Sequence, residues 1–92
     1  MTYPAQYIVD AARPIAAALS AIGDLRVNVA SADVLISYHH SGCIVRVAER
    51  RAVHQEVVEA EFQRAFAEAG WGVRVRQTGG LSMDHPVMLT RT

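Results

Sequence analysis

Two short stretches hold the residue types from which chemical sites are built. SYHHSGC (37–43) contains His39, His40 and the only cysteine, Cys43. GGLSMDH (79–85) contains Ser82, Asp84 and His85. A structural zinc centre takes four ligands, commonly in two paired knuckles. His40 and Cys43 have loosely ligand-like spacing, and His54 and His85 are the remaining candidates, so three separate segments would have to meet. His39 and His40 are consecutive, and on a strand consecutive side chains leave by opposite faces, so they could not share an ion. A thiolate nucleophile needs a base and an electropositive, open setting. Cys43 instead alternates with Val45 and Val47, which places it on a core-facing side. Ser82, Asp84 and His85 are the residue types of a hydrolase triad, but four positions leave no room for a histidine between the other two side chains. The expectation is a non-enzymatic protein with no metal, no cofactor and no small-molecule substrate. HHSG then reads as a hairpin turn and GGLSMDH as a surface loop.

The elements that would position these residues follow from periodicity. PAQYIVDAARPIAAALSAIG (4–23) carries Ile8, Ala12, Ile15, Leu19 and Ile22 at helical spacing, widened by Ala11 and Ala18. Pro4 suits the first turn, Gly23 a C-terminal cap, and Pro14 predicts a kink or a break. LRVNVA (25–30), VLISYH (34–39) and CIVRVA (43–48) alternate with period two and predict three strands. ERRAVHQEVVEAEFQRAFAEAG (49–70) predicts a second helix with Val58, Phe62, Ala65, Phe66 and Ala69 inward. Gly70 takes the left-handed cap and Trp71 folds back on the last turn. WGVRVRQ (71–77) and PVMLTR (86–91) complete the strands, with TGG and LSMDH as loops.

The order α-β-β-β-α-β-β predicts an α+β fold: a single antiparallel sheet of about five strands with two helices on one face, as one domain over residues 1–92. This order is loosely similar to that of small secretion-chaperone-like domains, which carry a further helix. The likeness is one of element order, and fold alone does not give function.

Strand phase then sorts the charges. If Leu25, Val27, Val29, Val34, Ile36, Tyr38, Val45, Val47, Val73 and Val75 face the helices, the opposite face presents Arg26, Asn28, Leu35, Ser37, His39, Ile44, Arg46, Arg74 and Arg76. Such a face has four arginines and no acidic residue, while the second helix carries most of the glutamates. Arginines beside the aliphatic anchors Leu35 and Ile44 form an interface composition. Arg26, Arg46, Arg74, Arg76, His39, Leu35 and Ile44 are therefore the candidate binding residues, for an acidic protein surface or for self-association as a homodimer. Phosphate backbone is the second partner class, and a small metal-dependent hydrolase the third function class. Single-stranded nucleic acid is poorly served, because the face offers little aromatic stacking surface.

Bulk composition limits the field further. The 92 residues are 51% hydrophobic and 20% charged, which excludes a disordered chain. Nine basic and nine acidic residues give zero formal net charge, unlike a strongly cationic nucleic-acid binder. All nine basic residues are arginine, which with the abundant Ala and Val points to a GC-rich coding background, bacterial or phage. A small accessory or inhibitor protein of a phage or mobile element fits this size. One cysteine excludes an intramolecular disulfide, and neither a signal peptide nor a membrane span is legible. A cytoplasmic, soluble protein is expected.

Overall fold

The computed structural model describes residues 3–39 and 42–85, with side chains for 9–38 and 42–85. The chain forms α1 (Tyr3–Asp24), β1 (Val34–His39), β2 (Gly42–Val47), α2 (Gln55–Glu68), β3 (Gly72–Val75) and β4 (Leu81–Asp84). Two 3-10 segments, Ser31–Asp33 and Glu49–His54, precede β1 and α2. The strands make one sheet in the order β1-β2-β4-β3, with every neighbouring pair antiparallel. α1 packs on α2 and β1, and α2 on the other three strands, so both helices cover the same sheet face. The fold is α+β with two helices on one side of a single antiparallel sheet, as the periodicity predicts.

The strand inventory differs in three places. LRVNVA forms no strand. Leu25 and Arg26 donate their N–H groups back to the carbonyls of Ala21, Ile22 and Gly23, and Arg26 adopts φ 61°, a left-handed turn that ends α1 beyond Gly23. Val27 and Val29 still pack on the core and Asn28 is still exposed, whereas Leu25, expected on the same inner side, is 51% exposed. Alternation thus reports side-chain burial along an extended segment that no neighbouring strand meets. LSMD, read as part of a loop, is β4, a central strand with Leu81 and Met83 fully buried. The expected closing strand PVMLTR lies outside the described residues. Among the described residues the sheet therefore has four strands, and the element order behind the chaperone-like likeness lacks its first strand.

Helix packing explains the remaining differences. α1 continues through Pro14. Its innermost line is Ala11, Pro14, Ala18 and Ile22, so the face is rotated from the expected stripe and Ala12 is exposed. Two alanines on this line permit close approach of α2, the most extensive helix contact in the molecule. α2 presents Val58, Phe62 and Phe66 one turn apart, all fully buried. Each phenylalanine buried in this way contributes roughly 1.5–3 kcal/mol. Ala69, expected inward, is the exposed C-cap residue. Beyond it Gly70 takes φ 91°, its N–H donates to the Ala67 carbonyl, and the Trp71 N–H donates to that of Phe66 (2.9 Å). This Schellman closure lays Trp71 edge-on against Phe66, 5.0 Å between centroids.

One buried carboxylate ties the loops at the other end of the molecule. Asp33, its side chain 2% exposed, accepts from the Ala30 N–H (2.9 Å) and from Arg50 Nε (2.9 Å) and Arg51 Nε (3.3 Å), with Arg50 Nη2 at 2.6 Å. Its own carbonyl accepts from the Ala48 N–H (2.7 Å). The entry to β1 and the exit from β2 are thereby clamped together. Arg50 and Arg51 are held where the expected second helix would have begun, and that stretch is 3-10 with a kink at Arg51. The Ala30 N–H, and after it the two guanidinium groups, hold the Asp33 carboxyl below its ordinary pKa despite the opposing effect of burial.

A carboxyl with a lower pKa folded than unfolded binds protons more readily unfolded. Its stabilisation is complete above the unfolded value of 3.8 and is lost as pH falls through the folded value. Asp33→Asn should therefore flatten the acid limb of the stability profile, measured by denaturant midpoints across pH 2–6 (a range set by roughly two units about the carboxylate pKa). An unchanged acid limb would contradict the clamp. Asp33→Ala should lower the thermal midpoint more than Arg50→Ala, because Arg50 is largely exposed whereas the Ala30 N–H and both arginines lose their common acceptor.

Gly42 is the second fixed point. A Cβ there would sit inside the contact shell of the Met83 carbonyl oxygen on β4. Gly42→Ala should cost roughly 1–3 kcal/mol or more in equilibrium unfolding, as overpacking against rigid backbone does. A neutral substitution would mean that β2 and β4 are not held this closely.

Candidate functional site

The register of the sheet defines its uncovered face. Leu35 pairs with Arg46, and Ser37 with Ile44. Ile44 pairs with Ser82, and Arg74 also with Ser82. Gly42 and Gly72 both pair with Asp84. These residues alternate with Val34, Ile36, Cys43, Val45, Leu81 and Met83, which face the helices, so the expected phases of β1, β2 and β3 hold. Tyr38 and Val75 share that inner phase but lie at its margins and are 42% and 69% exposed. Among the described residues, neither helix lies on the outer side.

The expected arginine face is only partly assembled. Arg46 and Arg74 lie on it. Arg26 is in the turn after α1, because LRVNVA is not a strand. Asn28 is likewise off the sheet. Arg76 follows β3, and its guanidinium donates to the Gly79 carbonyl of its own turn (3.2 Å). His39 ends β1 opposite Gly42, and its side chain lies outside the described residues. The face also carries an acid: Asp84 Oδ2 is 3.3 Å from Arg74 Nη2. A face of four arginines without a carboxylate is thus replaced by two arginines, one of them paired. Asp84 is missing from the expected face because the glycine pair before LSMDH predicts a loop there. Its alternation, Leu81 and Met83 against Ser82 and Asp84, was the available signal.

On the sheet face, Arg46 differs from Arg74. It is exposed, and among the described residues no carboxylate lies within ion-pair distance of it. Its aliphatic stem runs beside Gly80, whose φ of 85° and close packing leave no space for a side chain: a Cβ there would be 2.6 Å from Arg46 Cγ. Leu35 flanks Arg46 on β1 and is 45% exposed. The two border a groove of about 260 Å³ at the end of the sheet, completed by Val47, Gln55, Thr78 and Gly79, with Glu49 also on its wall. This end of the molecule combines apolar surface, one cation and backbone turns in a shallow concavity.

The chemically suggestive residues are placed elsewhere. Cys43 is fully buried on the helix side, and burial pushes its thiol up to about 11. His85 lies on that side too, at the opposite phase to Ser82 and Asp84. Its Nε2 is 2.6 Å from Asp10 Oδ2, a hydrogen bond that joins β4 to α1, and its ring meets Trp71 edge-on at 5.0 Å. This pair borders a second groove, about 670 Å³, with Arg13, Pro14 and Glu68 along it. The histidine–aspartate contact was not legible in the sequence, since 75 positions separate the two residues. Of the four-ligand set His40, Cys43, His54 and His85, His40 lies outside the described residues. No group of three or more His, Cys, Asp or Glu converges among those described. No described helix is long and apolar enough to cross a membrane. No protein-family model, curated protein or solved structure matches the chain.

Thiol labelling checks the placement of Cys43. In native protein at about pH 8 it should resist a small disulfide reagent and react fully once denaturant is added, since the thiolate is the reacting species. Rapid labelling without denaturant would show that β2 does not hold Cys43 in the core.

Proposed function

We propose that this chain is a small protein-binding module that docks an acidic segment of a partner at the Leu35–Arg46 end of its open sheet face. The single observation carrying this reading is Arg46: exposed, with no carboxylate within ion-pair distance among the described residues, and set beside apolar Leu35 and Ile44 at a shallow groove whose wall also carries Glu49. A partner carboxylate reaching Arg46 gains a charge-assisted, bidentate hydrogen bond, while aliphatic side chains cover Leu35 and Ile44. Arg74 is a poorer anchor, because an incoming acid competes with Asp84.

The same face is less suited to a phosphate backbone. Among the described residues it offers two arginines, and one of them, Arg74, is already paired with Asp84. Phosphate tracking needs several cations along a path. The origin of the chain in a phage or mobile element, and a role as an accessory or inhibitor protein, agree with its size and its arginine-only basic residues.

The test is photo-cross-linking mass spectrometry of the tagged protein carrying a diazirine-bearing residue at Thr78 beside the groove, since the chain has no lysine, in lysate of its source cells, with wild type beside Ile44→Asp and Arg46→Glu. Cross-links of the wild type should join the partner to the β3–β4 turn, and the captured partner should be reduced at least about tenfold by Arg46→Glu, as loss and reversal of a buried charge pair implies. Equal capture by wild type and both variants overturns the assignment of this face.

A further inference from the structure

The two edges of the sheet are built differently. β3 is four residues long and carries Arg74, a short and charged edge of the kind that discourages further pairing. β1 is six residues long, and among the described residues no strand pairs with its outer side. Its sequence, Val34–Leu35–Ile36–Ser37–Tyr38–His39, contains no Lys, Arg, Asp, Glu or Pro. Large apolar area is left open along it on both faces of the sheet, Leu35 on the outer and Tyr38 on the inner. An edge of this length and composition is a template for another strand.

We infer that the strand added to β1 is β1 of a second copy of this chain, running antiparallel and joining two four-stranded sheets into one of eight. Charge permits this occupant, and the self-complementary register favours it. An uncharged strand gives no electrostatic preference for a charged partner segment, and opposing it with itself brings no like charges together. Nine basic and nine acidic residues leave the whole chain with zero formal net charge, so two copies approach without net repulsion.

Alternation also limits the register. Residues directly opposed across antiparallel strands lie on one face, so the two-fold axis must pass through a residue rather than between two. An axis at Ser37, small and exposed, sets Ile36 against Tyr38 of the second copy and covers the open side of the tyrosine. Helices of both copies stay on one side and the two outer faces become continuous. Strand addition with few side-chain contacts falls below the roughly 1,200–2,000 Å² of a stable standard interface, so the dimer is weak, with a dissociation constant on the order of 10–100 µM. This pairing does not depend on what occupies the Arg46 end.

Light scattering from about 1 µM to about 500 µM tests it, a range spanning the affinity expected of such an edge. The mass should rise from 10.0 kDa toward twice that value. Ser37→Lys and Ser37→Glu should each raise the dissociation constant up to about fivefold, since like charges then meet at the axis, and their equimolar mixture should recover at least the wild-type affinity. Amides of β1 should exchange more slowly as wild-type concentration rises. A mass that stays at 10.0 kDa throughout overturns the inference. So does a dimer that both variants form as well as wild type, or one that leaves β1 exchange unchanged. Circular dichroism confirms that each variant is folded, and Arg46→Glu, which tests the open face, should leave the dimer intact.

Discussion

The pairing of β2 with β4 is the constraint on which the rest of the molecule depends. Val45 opposes Leu81 and Cys43 opposes Met83, and all four side chains are withdrawn from solvent beneath α2. This contact joins the β1–β2 and β3–β4 pairs and closes a loop that contains the whole of α2. Because side chains alternate strictly, its register decides the face of every neighbouring residue. A slip of one position would send Leu81 and Met83 into solvent and bring Ser82 and Asp84 under the helices. Gly42 lets the strands approach closely, and no other residue fits against the Met83 carbonyl.

Around that pairing the two ends of the sheet are closed by different physics. At one end the aromatic row Phe62, Phe66 and Trp71 runs into His85, which reaches Asp10 on α1. Apolar burial dominates there, and the polar contact joins β4 to the first helix. At the other end Asp33 gathers an N–H and two arginines. Removing a carboxylate from water is costly, and the cost is offset only because several donors converge on it. The same arrangement uses Arg50 and Arg51 internally. Arg46 is left as the cation of the open face without an ion pair among the described residues.

The functional reading follows from this one-sided architecture. With both described helices on one face, the other face carries no helix among the described residues and is open to water or to a partner. Its apolar members, Leu35 and Ile44, are few, and single exposed aliphatic residues are ordinary on a protein surface. What distinguishes this patch is the combination with Arg46 and the concavity at the sheet end. The β1 edge is a separate surface with a separate chemistry, backbone hydrogen bonding rather than charge. A protein using both would present a doubled face to its partners, and the arginines of the two copies would lie on the same side of a continuous sheet.

Local sequence determined what local physics can determine. The 3.6-residue period of 4–23 and 49–70 specified two helices, and Gly70 followed by Trp71 specified how the second one ends. Period-two alternation in VLISYH, CIVRVA and WGVRVRQ specified the phase of each strand, with Arg46 and Arg74 outward, while Tyr38 and Val75 on the inner phase stay largely exposed and Arg76 lies past the end of β3. The same alternation in LRVNVA is present without a strand, because pairing needs a partner and the chain there is turned by the left-handed Arg26. LSMDH shows the reverse: a stretch following two glycines became a central strand once β2 and β3 were available on either side. Only the tertiary structure brought Asp84 to Arg74, Asp33 to Arg50 and Arg51, and His85 to Asp10. Those contacts join residues far apart in the chain, and short-range periodicity carries no information about which distant charges will meet.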